Sequence, residues 1–222
     1  RGGLIREGTL TPCERIYHPA SNSGLRMLNV ITVDLAGKQL GEELASTSVL
    51  ADGQTVYSSQ DNLYVGTTEW FDRAELDANE DQTSDARPSV TTRIHKFDIS
   101  NPTRTLYRTS GQVRGTILNQ YSMSEHNGYL RVATTDHGWW SPGGATNSES
   151  YVTVLAEANG EMNQIGFVGD LGHGERIYAV RFLGDLATVV TFRQTDPLYT
   201  IDLSNPRLPK VLGELKILGY SA

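Results

Sequence analysis

Residues 177–215 read IYAVRFLGDLATVVTFRQTDPLYTIDLSNPRLPKVLGEL, and this stretch contains four short apolar runs rich in Val, Leu, Thr and Tyr. The runs lie at 177–183, 186–192, 198–203 and 210–215. Turn residues separate them, and in the Asn205-Pro206 turn proline fixes φ while asparagine can bond back to the backbone. Such runs between turns are typical of strands, so the stretch predicts a four-stranded antiparallel sheet.

The same pattern recurs upstream, where two independent markers repeat with the same spacing. One marker is a short apolar strand that ends in an acidic or small turn, and we number its four copies by Asp34, Asp98, Leu155 and Asp202. The other is a strand led by a tyrosine, at Tyr57, Tyr121 and Tyr178. In both series the first step is 64 residues and the second is 57. Because unrelated markers rarely step together, the chain contains a repeated structural unit.

The length of the repeat indicates its architecture. The step from Leu155 to Asp202 is 47 residues, close to the roughly 40–50 residues of a four-stranded propeller blade. Helical periodicity is almost absent. The sequence therefore predicts an all-β fold, a β-propeller fragment of about three four-stranded antiparallel blades plus a partial blade. The partial propeller covers residues 25–222, with insertions near 69–91 and 136–150, and residues 1–24 form a lead-in segment.

The number of blades predicts an open ring. Residues up to about Val49 supply only a pair of strands, and three full sets of four follow. Since a propeller closes only when its last blade meets its first, we expect about half a ring, completed by chain outside this sequence or by a second copy. A first residue of Arg1 instead of Met agrees with a processed product or a segment of a longer protein.

Composition excludes some partners. The formal net charge is −7 and the sequence pI is about 5.2, with Lys and Arg scattered along the chain. Nucleic acids and anionic membranes select basic surfaces, so neither is expected as a partner. No apolar run approaches the roughly 18 residues of a membrane helix, so we expect no membrane insertion within this chain.

The stretch 174–185, together with 190–206 and 212–217, resembles the secreted β-propeller-domain family of actinobacteria and archaea, which is distantly related to WD40 repeats. The resemblance implies an extracytoplasmic protein, secreted or held at the cell envelope, with a longer C-terminal continuation. It implies no reaction, because a propeller hosts binding modules and enzymes alike.

No catalytic constellation is visible in the sequence. A P-loop, a dinucleotide fingerprint, a zinc-protease helix and a complete nucleophile elbow are all missing, and the five histidines do not fall at close metal-ligand spacing. We therefore predict no catalytic residue, no cofactor and no metal ligand. Cys13 is the single cysteine, so pairing would need a cysteine outside these residues.

The acidic segment 77–85 partly matches a calcium loop, because oxygen-bearing side chains occupy its first, third, fifth and ninth positions. Gln82 stands where the loop needs glycine, and Pro88 stands where it needs a bidentate glutamate. These departures favour a solvated acidic insertion and leave calcium binding open.

The position of the insertions predicts a binding site. In a four-stranded meander successive turns alternate between the two ends of the blade, and both insertions fall between the second and third strands. They must therefore leave from the same end, which the link 169–175 between two blades shares. The predicted ligand or partner site gathers the tryptophans and two histidines of that end: Trp70, His137, Trp139, Trp140 and His173.

These observations favour a noncatalytic module that binds a protein or a small molecule at the cell envelope. The alternative is an enzyme, for example a hydrolase, whose active site is completed by blades absent from this chain. A purely structural envelope component is a third hypothesis. The partner and the total number of blades are not encoded in these residues.

Overall fold

The computed structural model describes residues 8–19, 23–34, 44–69, 90–137, 148–192 and 196–217. Strands contain 65% of these residues, and two single 3₁₀ turns, Cys13–Arg15 and Gln120–Ser122, are the helical elements among them. The all-β prediction is confirmed.

The strands form four sheets, which we number I to IV. Sheet I contains β1 (Ile16–Tyr17), β2 (Met27–Val33) and β3 (Leu44–Leu50). Sheet II contains β4 (Thr55–Ser58), β5 (Asn62–Glu69), β6 (Thr91–Asp98) and β7 (Leu106–Arg114). Sheet III contains β8 (Met123–His126), β9 (Tyr129–Asp136), β10 (Glu149–Ala158) and β11 (Glu161–Leu171). Sheet IV contains β12 (Arg176–Leu183), β13 (Leu186–Phe192), β14 (Asp196–Asp202) and β15 (Lys210–Ile217).

Sheets II, III and IV are four-stranded antiparallel meanders in which each strand pairs with the next along the chain. This arrangement confirms the three predicted blades. In sheet IV the strands begin and end within two residues of the predicted runs. Sheet III departs from the repeat at Tyr121, because the backbone N–H of Tyr121 donates to the Asn119 side chain and a 3₁₀ turn replaces the start of the strand.

Sheet I contains the predicted strand pair β2–β3 and one further strand, β1. The two residues of β1 pair in parallel with β3, with Ile16 opposite Ser48. Thr11 extends this contact, since its hydroxyl lies 2.5 Å from that of Ser46 and accepts a hydrogen bond of 2.7 Å from Ser48. The lead-in segment therefore packs on sheet I with its residues 11–17.

Three apolar clusters lie between successive sheets. Val49, Val65 and Phe97 belong to the cluster between sheets I and II, and Ile94 belongs to the cluster between sheets II and III. Within β9, Val132 contributes to the cluster between II and III, while Ala133 contributes to the cluster between III and IV. Because neighbouring residues of one strand enter different clusters, the sheets stack in series, as blades of a propeller do.

Sheet IV buries one face only within the described residues. The continuous apolar run of β13 predicts a strand covered on both sides, yet its burial alternates, with Ala187 and Val189 fully buried in the cluster against sheet III. The opposite face carries Leu183, Leu186 and Leu215, with exposed fractions of 66%, 43% and 55%. The predicted open ring is compatible with this face and stays a prediction.

Candidate functional site

The two insertions begin and end at the same end of the stacked sheets, which we call the insertion end. The Gly115 N–H donates to the carbonyl of Val90, near the C-terminal boundary of the first insertion, at 2.6 Å. Thr116 and Thr135 exchange two backbone hydrogen bonds of 2.8 and 3.0 Å immediately before the second insertion. The described bases of both insertions therefore lie side by side, as the parity of the strands predicts.

The link between sheets III and IV joins this end as well. Gly174 N–H donates to the carbonyl of Ser148 at 2.8 Å, at the far side of the second insertion. The link is shorter than predicted, because β11 continues to Leu171. His173 of this link is exposed, and its Nε2 lies 2.9 Å from Oδ1 of Asp170.

An ion pair stabilises the base of each insertion. Glu69 accepts hydrogen bonds of 3.1 and 3.2 Å from the guanidinium of Arg93 across β5 and β6. Asp136, at the end of β9, accepts a 2.8 Å hydrogen bond from Arg114 on the neighbouring sheet. Partial burial lowers the pKa of Arg114 and is the largest single effect. The hydrogen bond with Asp136 and the negative charges of Asp136 and Glu149 together outweigh it, so the pKa of Arg114 is raised.

A cleft of about 450 Å³ opens at the insertion end, and we call it the insertion-end cleft. Its lining residues are Thr116, Ile117, Leu118, Asn119, Thr135, His137, Arg176, Ile177 and Tyr178. His137 Nε2 lies 3.2 Å from the Thr116 hydroxyl. Burial lowers the pKa of His137; Asp136 acts in the opposite direction and Arg176 in the same direction as burial. The imidazole is therefore neutral at pH 7 and can accept or donate a hydrogen bond to a ligand.

The structure brings two of the five predicted site residues to the insertion end. His137 lines the cleft, whereas His173 lies on the link outside the lining. Trp70, Trp139, Trp140 and the acidic segment 77–85 lie outside the described residues. Their role in binding stays a prediction.

Sequence reasoning missed Arg176, Asn119 and Thr116 as lining residues of this cleft. The sequence feature that could have located this cleft is the repeated tyrosine-led strand. The first strands of sheets II and IV and the 3₁₀ turn before β8 carry these tyrosines, and they line this cleft and a second one. Tyr178 lies in the insertion-end cleft, and Tyr57 and Tyr121 lie in a second cleft. The repeated tyrosines therefore mark these cleft walls.

The second cleft has a volume of about 580 Å³, and we call it the inner-strand cleft. It lies where the 3₁₀ turn Gln120–Ser122 contacts both β4 and β12. Its lining residues are Val56, Tyr57, Ser58, Gln120, Tyr121, Met123, Ser124, Val180, Arg181 and Phe182. Both clefts therefore have the size of pockets that hold small molecules.

Among the described residues, no three His, Cys, Asp or Glu side chains are grouped so that they could hold a metal ion. Cys13 is an exposed free thiol. In the same part of the chain, no helix has the length and apolar character needed to cross a membrane.

Comparison with known proteins gives a family match over nearly the whole chain. A family model described as "Beta propeller domain" matches residues 5–222. An uncharacterized protein of Methanocaldococcus jannaschii is 53% identical over 112 residues, which are 50% of this chain and 17% of that protein. An uncharacterized protein of Archaeoglobus fulgidus is 44% identical over 137 residues, 62% of this chain and 20% of that protein. The chain thus covers about a fifth or less of the length of these relatives.

Proposed function

This chain belongs to the β-propeller domain family, and from this premise we propose that it is a noncatalytic binding module whose ligand or protein partner binds at the insertion end. One observation carries the proposal. The insertion-end cleft lies beside the bases of both insertions and combines a cation, a neutral imidazole and apolar groups. Loops that leave a rigid sheet scaffold next to a cleft are a common arrangement for binding.

The chemistry of the cleft suits a ligand with both polar and apolar parts. Arg176 supplies a guanidinium, His137 supplies a ring nitrogen, and Ile117 and Leu118 supply apolar surface. The three tryptophans, Trp70, Trp139 and Trp140, lie on the insertions, where we expect them to add aromatic contact area. Such a set can hold and orient a ligand without reacting with it.

We place this binding activity outside the cytoplasm, at the cell envelope or in secreted form. The support is the resemblance of residues 174–217 to a secreted propeller family. Fractionation of the source cells into cytosol, envelope and medium, followed by immunoblotting, tests the location. Detection in the cytosolic fraction alone would contradict it.

Tryptophan fluorescence tests the site directly, because all three tryptophans of the chain belong to the two insertions. A panel of oligosaccharides, peptides and metabolites is screened for compounds that shift the emission of the full chain. For each hit, His137→Ala should weaken binding about tenfold through loss of one polar contact in a partly buried site.

The matched control is His126→Ala, which removes a histidine that pairs with Asp185 at the opposite end of sheets III and IV. This variant should bind as the unchanged protein does. Equal losses in the two variants would contradict a site at the insertion end. Mass spectrometry of each hit after incubation tests the noncatalytic part, because conversion of the ligand would instead support the enzyme alternative.

A further inference from the structure

The inner-strand cleft collects hydrogen-bond donors from three sheets. Tyr57 lies on β4, Ser124 on β8 and Arg181 on β12, and all three line the cleft. Arg181 uses one N–H for a 3.0 Å hydrogen bond to the carbonyl of Val180. A guanidinium has five N–H donors and no acceptor, so most of its donors stay available to a ligand.

The two hydroxyls are oriented as donors by their own partners. The Ser124 hydroxyl accepts a 2.7 Å hydrogen bond from the guanidinium of Arg131, which is almost fully buried. The Tyr57 hydroxyl accepts a 2.9 Å hydrogen bond from the backbone N–H of Glu125. Because each hydroxyl accepts in these bonds, each keeps its proton for donation, and the positive charge on Arg131 strengthens Ser124 as a donor.

The charge of the cleft is opposite to that of the chain. Among the described residues that line the cleft, none is acidic, and Arg181 is the one that is cationic at every relevant pH. Arg131 lies directly behind Ser124 and adds a second guanidinium to the same wall. Because the described lining contains Arg181 and no carboxylate, it favours an anion over a cationic ligand.

The rest of the lining is apolar and aromatic. Val56, Met123, Val180 and Phe182 supply apolar surface. The Arg181 guanidinium stacks on Tyr121, with 4.9 Å between its central carbon and the ring centroid. This stacking holds the side chain in place and leaves the edge of the guanidinium, where its donors lie, free to meet an oxyanion.

We propose that the inner-strand cleft binds an amphipathic organic anion, a carboxylate or similar oxyanion attached to an apolar ring. The oxyanion accepts hydrogen bonds from Arg181, Ser124 and Tyr57, and the ring packs on the apolar wall. The proposed site involves none of the residues of the insertion-end cleft. The proposal therefore goes beyond the binding function proposed above, and each of the two can be tested independently.

The probe is 1-naphthoate, compared with its neutral isostere 1-naphthamide and with inorganic phosphate, each titrated into the full chain by isothermal calorimetry. We expect naphthoate to bind at least about tenfold more tightly than naphthamide, because hydrogen bonds to a charged acceptor exceed those to a neutral one. Phosphate should bind more weakly than naphthoate, since it lacks the apolar part. Phosphate binding as tight as that of naphthoate would overturn the amphipathic assignment.

Arg181→Gln should lower the affinity for naphthoate by about tenfold or more, and Tyr57→Phe by roughly two- to tenfold. Arg181→Lys should retain more affinity than Arg181→Gln, because it keeps the charge. Arg207→Gln removes an exposed arginine on a turn of sheet IV and serves as the control, with affinity unchanged. Circular dichroism verifies the fold of each variant. If Arg181→Gln does not fold, the naphthoate affinities of Arg181→Lys and Tyr57→Phe, each compared with that of the unchanged chain, test the proposal.

Besides tight binding of phosphate, three results would overturn the proposal. The first is equal affinity for naphthoate and naphthamide. The second is a naphthoate affinity of Arg181→Gln within about twofold of that of the unchanged chain. The third is no binding of naphthoate up to about 10 mM, because a Kd above this value is too weak for a specific small-molecule site. The tryptophan emission of the insertions is recorded in parallel. If no screened compound changes this emission while naphthoate binds as expected, the proposed function alone is rejected.

Discussion

His95 is a buried titratable residue on the face of β6 that meets sheet I. It is completely buried, and its Nδ1 lies 3.4 Å from the Tyr107 hydroxyl. Its Nε2 has no hydrogen-bond partner among the residues that the structure describes. Burial lowers the pKa of His95 from 6.5 to about 4, and the nearby charge of Arg93 acts in the same direction. The imidazole is therefore neutral in the folded protein at pH values where it is protonated in the unfolded chain.

This difference predicts a loss of stability in acid. The unfolded state binds the extra proton below pH 6.5, so the contribution of His95 is complete above that pH and is lost as the pH falls toward about 4. Between pH 6.5 and 5 the loss should be about 2 kcal/mol. Urea unfolding at several pH values measures it. His95→Gln should flatten the pH dependence of the free energy of unfolding, and His173→Gln, an exposed control, should not. Parallel curves for the unchanged chain and both variants would contradict the assignment of this pH dependence to His95.

Gly115 occupies a position that only glycine fits. Its φ is +83°, and a Cβ there would lie 2.7 Å from the carbonyl carbon and oxygen of Thr135. Gly115→Ala should therefore lower the free energy of unfolding by about 2 kcal/mol or more, through strain and a backbone clash together. Gly160 has nearly the same φ, +81°, and no atom of the described residues lies within 4 Å of its Cβ position. Gly160→Ala should cost only about 1 kcal/mol, and equal costs in urea unfolding would disprove the clash.

At the scale of elements, the Arg114–Asp136 ion pair connects β7 to β9 at the base of the second insertion. Asp136→Asn removes the charge but keeps the shape. We expect the free energy of unfolding to fall by about 1 kcal/mol, because Asp136 is buried but solvent screens the half-exposed Arg114 side chain. The variant should also lower the pKa of His137 further, since the carboxylate of Asp136 stabilises the imidazolium.

Unfolding in urea and NMR titration of the His137 ring measure the two effects. Asp170→Asn, which affects the exposed pair with His173, is the control and should change neither quantity. An unchanged His137 pKa in Asp136→Asn would show that the carboxylate does not act on this ring.

The strands and the common end of the insertions were predictable because they follow from local rules. Alternating apolar runs and turn residues specify strands, and the parity of a meander specifies which turns share an end. β1 was not predictable, because a two-residue strand has no periodicity and depends on β3 for its pairing. The donor set of Tyr57, Ser124 and Arg181 was not predictable either, because each residue lies on a different sheet and only the packing of the sheets brings them together.

At the scale of the whole molecule, the apolar face of sheet IV should drive association. Leu183, Leu186 and Leu215 are exposed on one face of a sheet, and such patches usually mark contact surfaces. We expect the chain to self-associate with increasing concentration, and Leu186→Lys combined with Leu215→Lys to reduce this association. Analytical ultracentrifugation measures it, with Leu208→Lys in a turn as the control. A chain that stays monomeric at all concentrations would contradict this expectation and the predicted open ring.

The serial stacking of the sheets also bears on how the molecule comes apart. Each apolar cluster joins only two neighbouring sheets, so the free energy of folding resembles a sum of sheet terms and nearest-neighbour coupling terms. Sheet III has a coupled neighbour on both sides, whereas sheet IV has one among the described residues. Opening should therefore start at the terminal sheets, I and IV, and travel inward. Amide hydrogens in β9 should exchange more slowly than those in β13. A molecule built this way frays from its ends before it melts.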